Sequence, residues 1–204
     1  GKNADCPLDE APKNYLEALK VLYPFGDYFA LNISSPNTLQ LRELHGKERL
    51  ARLLDPLTDF VNGERTKKPV FIKIAPELEE SELEGLVETA VERSLGLIAT
   101  KTTVRREHIP ERWRAYEGGL SGLPLRGISN AMLRRVASLA RGRVPIIGVG
   151  GVCDGPSAEE KLRLGADLVQ VYSGLIYEGP FLVRDILRYL EKKAPAQSPA
   201  AAGR

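Results

Sequence analysis

The feature that most constrains this chain is a fivefold alternation of short apolar runs with longer segments of helical periodicity. The apolar runs lie at residues 28–33, 69–76, 96–100, 144–149 and 167–172. Nearly uninterrupted apolar runs of this length are typical of parallel strands buried on both faces, and the segments between them repeat apolar residues at helical spacing. The alternation therefore predicts an α/β domain in which parallel strands are joined by right-handed helical crossovers.

Polar residues or glycines stand near the end of every apolar run. They occupy residues 32–37, 73, 100–103, 150–151 and 172–174. Because functional sites of parallel α/β folds lie at the carboxyl ends of the strands, we expect these residues to meet in one site. A further segment, residues 105–125, is long, charged and rich in glycine. Its length is typical of a lid or a binding loop.

The composition argues against several classes of function. Lys and Arg together number 29 against 27 for Asp and Glu, and the basic residues are scattered, so no nucleic-acid partner is expected. No apolar run reaches the roughly 20 residues of a membrane-spanning helix. Cys6 and Cys153 alone cannot build a disulfide framework or a cysteine-ligated metal site, so no metal is predicted. The two histidines, His45 and His108, are expected to be structurally neutral.

Three features of the expected site suggest its chemistry. The Lys73 ammonium, in an otherwise apolar strand, requires either a bound anion or a structural ion pair. Gly150, Gly151 and Gly174 either let backbone amides approach a phosphate or form tight turns only. Ser35 has no histidine partner in the sequence, yet a desolvated hydroxyl held by hydrogen bonds can move a proton. Together they suggest a phosphorylated cofactor above a pocket of amides and hydroxyls.

Five motifs occur in the order that is characteristic of one enzyme family. They are NISSPNT at residues 32–38, KIAP at 73–76, GGLSG at 118–122, IGVGG at 147–151 and LVQVY at 168–172. In these motifs the chain resembles dihydroorotate dehydrogenase, the flavin enzyme of pyrimidine (UMP) synthesis, in its membrane-associated, quinone-using class. The likeness runs from Gly1 to about Leu190, and serine rather than cysteine at position 35 favours the quinone class.

The resemblance implies a TIM (β/α)8 barrel with FMN at the carboxyl ends of its strands, of which this chain supplies about the last five β/α units. Ser35 would be the general base that takes a proton from dihydroorotate while a hydride passes to the flavin. The substrate would contact Asn32, Asn37, Lys101 and Thr102. The cofactor would contact Lys73, Thr100, Ser121, Gly122, Gly150, Gly151, Tyr172 and Ser173. Of these, Lys73 would stabilise the negative charge that collects on the reduced ring.

Two departures from the family pattern carry their own expectations. The family has Thr-Asn-Thr-Thr where this chain has Lys101 in the second place, and lysine can meet a carboxylate but cannot accept a hydrogen bond. Because five strands are recognised and a barrel needs eight, three strands are expected to precede Gly1. Residues 1–193 would then form a partial FMN-binding barrel domain that binds FMN weakly and turns over poorly alone. Residues 194–204, rich in Ala and Pro, are expected to be a disordered tail.

The resemblance also implies partners and a location. The partners are dihydroorotate, orotate and a quinone that is reached through the expected preceding part of the chain. The location is peripheral, at the bacterial cytoplasmic membrane or the mitochondrial inner membrane. Two alternatives remain open. A soluble-class FMN-dependent relative would prefer fumarate or NAD to a quinone, and a non-catalytic barrel remnant would show no flavin spectral shift with orotate.

Overall fold

The strands form a single parallel sheet in sequence order. The computed structural model describes residues 1–3, 5–33, 47–107 and 109–193, and within them the sheet order is β1-β2-β3-β4-β5. The strands are β1 (Phe29–Leu31), β2 (Val70–Ile74), β3 (Gly96–Ala99), β4 (Ile146–Val149) and β5 (Leu168–Gln170). Every neighbouring pair is parallel. Each strand lies within its predicted apolar run, so the predicted parallel α/β fold is confirmed.

Helices connect the strands and cover one face of the sheet. They are α1 (Ala11–Leu22), α2 (Lys47–Gly63), α3 (Glu80–Glu92), α4 (Arg126–Ala140), α5 (Gly155–Arg163), α6 (Ser173–Glu178) and α7 (Leu182–Lys193). Helices α2 to α5 each join two successive strands, as the sequence predicts. The short helix α6 has no sequence signal, because six residues do not show a helical repeat. In the part of the chain that the structure describes, no helix is long and apolar enough to cross a membrane.

The two faces of the sheet carry separate apolar clusters. The larger cluster packs Val70, Ile72 and Ile74 of β2, with their neighbours on β3 and β4, against α1 to α4. The smaller cluster, on the other face, consists of Phe71, Ile98, Ile147 and Val149. Because side chains alternate along a strand, Lys73 shares the face of Phe71. We call the face that carries the smaller cluster the inner face of the sheet. Lys73 thus lies on the inner face, at the carboxyl end of β2.

The predicted start of α3 is wrong. Ser81 and Glu84 have capping-box spacing, which predicts Ser81 as the N-cap. The helix instead begins at Glu80, and the Glu82 carboxylate accepts a hydrogen bond of 3.1 Å from the Glu79 N–H. The same three-residue spacing is available two residues earlier, and that earlier pair caps the helix.

The long segment between β3 and α4 folds back onto the end of β3. It contains two 3-10 turns, Glu111–Trp113 and Leu123–Leu125. Thr103 and Leu120 pair as an antiparallel bridge, with N···O distances of 3.1 Å from Thr103 N and 2.7 Å from Leu120 N. This bridge brings residues 118–122 over the carboxyl ends of the strands.

Candidate active site

A cavity of about 310 Å³ lies at the carboxyl ends of the strands. Its volume falls at the lower end of the range of small-molecule sites. All predicted site residues within the described part of the chain line it: Asn32, Lys73, Thr100, Lys101, Thr102, Ser121, Gly122, Gly150, Gly151, Tyr172 and Ser173. The strand ends, the glycine-rich segment and the start of α6 thus converge on one place, as the sequence predicts, while the role of each residue stays a prediction.

Some predicted residues fall outside the described part of the chain. Ser35, the expected base, and Asn37, an expected substrate ligand, both lie in residues 34–46. His45 and His108 are also outside it, as are residues 194–204, the expected tail. Asn32 is the last predicted site residue before this gap, and it lies at the cavity wall.

The charge of the cavity lining is positive. Lys73 and Lys101 both line the cavity, whereas no acidic residue of the described ranges does. Lys101 is only 9% exposed, and burial lowers the pKa of the Lys73 ammonium because desolvation disfavours its charged form. Two lysines and no carboxylate among the described lining residues give the cavity a positive potential, which favours an anionic ligand.

Backbone contacts fix the polar end of β3 in place. Thr100 is buried, and its Oγ1 donates a hydrogen bond of 2.9 Å to the Lys101 carbonyl. The Lys101 N–H in turn donates to the Ile74 carbonyl at 2.9 Å. Beside them, a Cβ on Gly119 would stand 2.1 Å from Thr102 Oγ1, so only glycine lets the loop lie so close. These contacts hold Lys101 and Thr102 at the cavity wall.

The loop after β4 depends on glycine. Gly150 and Gly151 have φ of +110° and +74°, in the region that side chains disfavour. A Cβ on Gly151 would stand 2.4 Å from Arg126 Cβ, at the start of α4. Close packing behind the loop and positive φ along it together present its backbone to the cavity.

A second contact joins two walls of the cavity. Ser173 Oγ, at the first residue of α6, donates a hydrogen bond of 2.6 Å to Ser121 Oγ. Ser121 belongs to the loop that returns over β3, and Ser173 follows β5. This bond therefore joins the loop after β3 to the segment after β5, two parts of the cavity wall that are 52 residues apart in the sequence.

Two buried amide oxygens of the cavity wall have no hydrogen-bond partner among the described residues. They are Asn32 Oδ1 and Gln170 Oε1. A buried acceptor without a donor is unfavourable, so both oxygens suit a ligand that carries N–H or O–H groups. Gln170 is a site candidate that sequence reasoning missed, although its signal, a polar residue inside an apolar run, is the one that identified Lys73.

Tyr15 of α1 holds the backbone of Asn32, one of these two residues, in place. Its hydroxyl donates a hydrogen bond of 2.7 Å to the Asn32 carbonyl. Burial raises the pKa of Tyr15 to about 12, so it is a neutral donor at physiological pH. Helix α1 thereby positions the end of β1 at the site.

Comparison with known proteins gives a consistent result. The family model described as dihydroorotate dehydrogenase matches residues 4–193. The chain is 44% identical to the dihydroorotate dehydrogenase (quinone) of Synechococcus sp. (strain JA-3-3Ab), over 98% of this chain and 54% of that protein. It is also 44% identical to that of Delftia acidovorans, over 92% of this chain and 56% of the relative. The chain thus spans just over half the length of these curated relatives.

Solved structures give the same picture at the level of the fold. The ligand-free type DHODH from Eimeria tenella is 31% identical and superposes with a TM-score of 0.86, over 95% of this chain and 59% of that one. The DHODH of the same organism in complex with ferulenol superposes with a TM-score of 0.84, over 57% of its chain. These neighbours are TIM barrels, and the five strands and their helices correspond to the last five β/α units of that fold.

Proposed function

The chain belongs to the dihydroorotate dehydrogenase family, and we propose that it carries the site at which dihydroorotate is oxidised to orotate. In this proposal FMN accepts the hydride, a quinone is the final electron acceptor, and the reaction serves UMP synthesis. One observation carries the proposal. Two lysines, a glycine loop and two amide oxygens that have no hydrogen-bond partner among the described residues meet in one cavity, whose described lining contains no acidic residue.

The lining residues suit FMN. The Gly150–Gly151 loop and the start of α6 offer backbone N–H groups to a phosphate. The amide oxygens of Asn32 and Gln170 suit ring N–H groups of a flavin or a pyrimidine. We propose that Lys73, Thr100, Ser121, Gly122, Gly150, Gly151, Tyr172 and Ser173 hold the cofactor. When bound, FMN would supply hydride acceptance, which no amino-acid side chain offers.

Lys73 would act on the electronics of the site. Its ammonium lies on the inner face of the sheet, and burial lowers its pKa. A partly desolvated cation gains more from a nearby anion than a solvated one, because screening by water is weaker. We propose that Lys73 stabilises the negative charge that develops on the ring during reduction.

The substrate would lie beside the end of β1. Asn32, Asn37 and Thr102 would hold its ring and carboxylate by hydrogen bonds, and Lys101 would pair with the carboxylate. Ser35, which follows Asn32 by three residues, would accept the proton from dihydroorotate as the hydride leaves it. The position of Lys101 supports this pairing, because it lines the cavity beside Thr102 and its positive charge attracts a carboxylate there.

The remaining parts of the proposal concern the larger protein. We propose that residues 1–193 form five β/α units of the barrel. The quinone and a peripheral membrane contact, at the bacterial cytoplasmic membrane or the mitochondrial inner membrane, would involve parts outside the described residues. The name of the relatives, dihydroorotate dehydrogenase (quinone), supports the choice of acceptor.

The proposal is tested by flavin reduction in a single turnover. The purified protein is saturated with FMN, mixed anaerobically with dihydroorotate, and followed by loss of flavin absorbance. Replacing Ser35→Ala should slow reduction by roughly 10²- to 10⁴-fold, the usual contribution of a general base, and leave FMN binding unchanged. Ser138→Ala, an exposed serine on α4, is the matched control and should have no effect.

Several outcomes would contradict the proposal. Equal reduction rates for Ser35→Ala and the unmodified protein would remove Ser35 from the mechanism. A saturated protein that is not reduced at all, and whose flavin spectrum does not respond to orotate, would identify a non-catalytic remnant. Faster reoxidation by fumarate or NAD than by a quinone would place the protein in the soluble class.

A further inference from the structure

A fully buried lysine lies directly behind the glycine loop without lining the cavity. Lys161, on α5, is 1% exposed. It fits beneath β4 because Gly148 lacks a side chain: a Cβ there would stand 3.1 Å from Lys161 Cβ. Burying an ammonium is costly unless it is engaged by other groups, and the proposed reaction does not use Lys161.

The Lys161 ammonium connects to the loop through one hydroxyl. Its Nζ donates a hydrogen bond to Ser129 Oγ, on α4, at 2.5 Å. Ser129 is itself fully buried, and its hydroxyl lies within donor distance of the Gly150 carbonyl, at 3.0 Å, and of the Arg126 carbonyl, at 3.2 Å. Because an ammonium can only donate, Ser129 Oγ accepts a hydrogen bond from Lys161 and its own O–H donates a hydrogen bond to one of these carbonyls, of which that of Gly150 is nearer.

The planar peptide unit between Gly150 and Gly151 continues this series of hydrogen bonds towards the cavity. The Gly150 carbonyl and the Gly151 N–H belong to the same peptide unit, and in a trans peptide they point in opposite directions. With the carbonyl directed at Ser129, the N–H points away from Ser129, and Gly151 lines the cavity. The ammonium, hydroxyl and peptide dipoles are then aligned, and each polarises the next.

The charged groups near Lys161 do not neutralise its ammonium, which is therefore the positive end of this series of hydrogen bonds. The charged groups that act on it are Glu160, on α5, and Arg126, on α4, whereas β4 beneath it has no charged residue. Glu160 accepts hydrogen bonds from Arg126, at 2.8 Å and 2.7 Å, so that carboxylate is already engaged. Burial lowers the pKa of Lys161 to about 8, so it is mostly protonated at pH 7.

We propose that Lys161, acting through Ser129, directs the Gly151 N–H at the phosphate group of the cofactor and strengthens the hold of the loop on that anion. Lys161 is thus a positioning residue, since it does not line the cavity. The inference rests on the proposed function for the identity of the anion, the phosphate of FMN. It adds to that function a buried cation that acts from behind the binding loop.

Comparison of FMN with riboflavin tests this inference, because riboflavin has the same ring and no phosphate. Flavin fluorescence gives the dissociation constant of each for the purified protein. In Lys161→Met, which keeps the length of the side chain without its charge, FMN should bind roughly tenfold more weakly, a change typical of coupling through a contact network. Riboflavin affinity should be unchanged. Lys192→Met, an exposed lysine on α7, is the matched control and should bind both flavins normally.

Two further measurements separate this role from a structural one. Ser129→Ala should weaken FMN binding as much as Lys161→Met, and the double variant should be no weaker than either, because the two groups act in series. The FMN affinity ratio of the unmodified protein to Lys161→Met should also decline from pH 7 to pH 9, as Lys161 loses its proton. Taking this ratio cancels the titration of Lys73, which both proteins share.

The outcomes are distinct from those that test the reaction. If Lys161→Met weakens FMN and riboflavin equally, Lys161 only shapes the cavity and the inference is wrong. It is also wrong if the unmodified protein binds FMN no more tightly than riboflavin, or if Ser129→Ala has no effect. A protein that shows the predicted FMN effect but does not oxidise dihydroorotate would support the inference and refute the proposed function.

Discussion

Replacing Gly151→Ala isolates the contribution of the loop geometry to stability. Two unfavourable terms act together at this position. The φ of +74° strains any residue with a Cβ by about 1–2 kcal/mol. The new Cβ would also stand 2.4 Å from Arg126 Cβ and 2.6 Å from Arg126 Cα, and such overpacking adds about 1–3 kcal/mol. Since one close atom belongs to the backbone, a change of side-chain rotamer cannot relieve the clash.

A matched control exists in the turn between α4 and β4. Gly142 has almost the same φ, +70°, but a Cβ there would meet nothing within 4 Å. Alanine lowers the conformational entropy of the unfolded chain at both positions, which offsets about 0.4–1 kcal/mol of the strain. We therefore expect Gly142→Ala to lower the free energy of unfolding by about 1 kcal/mol and Gly151→Ala to lower it by about 3 kcal/mol.

Thermal and urea unfolding of the two variants measure this difference. For a chain of this size, Gly151→Ala should lower the melting temperature by roughly 6–12 °C and Gly142→Ala by a few degrees. Equal losses in the two variants would show that the φ strain alone matters and that the loop can move away from α4. That result would refute the close packing on which the rigid loop geometry depends.

Two further predictions concern buried polar groups. The folded-state pKa of Lys161, about 8, lies below its ordinary value of 10.5, so the unfolded chain binds more protons between these pH values. The free energy of unfolding should therefore rise with pH over that window, and the rise should be smaller in Lys161→Met. Urea unfolding from pH 7 to pH 10 measures this rise, and equal slopes for the two proteins would contradict the prediction. Tyr15→Phe removes the hydroxyl that donates a hydrogen bond to the Asn32 carbonyl. It should therefore lower the free energy of unfolding by about 1–3 kcal/mol and weaken orotate binding to the FMN-loaded protein. The control is Tyr177→Phe, at an exposed tyrosine, which should change neither quantity.

The sequence predicts the fold well because the strands of a parallel sheet carry a strong signal. Apart from Lys73, residues 70–74 and 146–149 are apolar for a reason that depends little on context: each face of the sheet carries a buried apolar cluster. The polar strand ends are equally visible, and they converge as predicted because every strand pair is parallel. The contribution of Ser121 and Gly122, in contrast, came from the family motif, since residue spacing alone does not reveal that a loop returns to the site.

What the sequence does not predict depends on packing between distant elements. Lys161 follows Glu159 and Glu160, and a charged run on a helix usually faces solvent. It is buried because Gly148, thirteen residues earlier and on a different element, leaves room beneath β4. Gln170 was missed for a different reason: it lies inside the run 167–172, before the polar residues that end it, although it lines the cavity.

Two partly or fully desolvated lysines, Lys73 and Lys161, link the stability of the protein to its ligand affinity. Desolvation lowers the pKa of both Lys73 and Lys161, so the folded protein holds these charges at a free-energy cost relative to the unfolded chain. An anion bound near them favours their charged forms, which removes part of that cost and adds the same amount to the binding free energy. A variant such as Lys161→Met should therefore lose affinity for FMN without losing stability. A loss of affinity without a loss of stability distinguishes a cation retained for binding from one retained for the fold. If Lys161 instead formed a structural ion pair, its replacement would lower the stability of the protein.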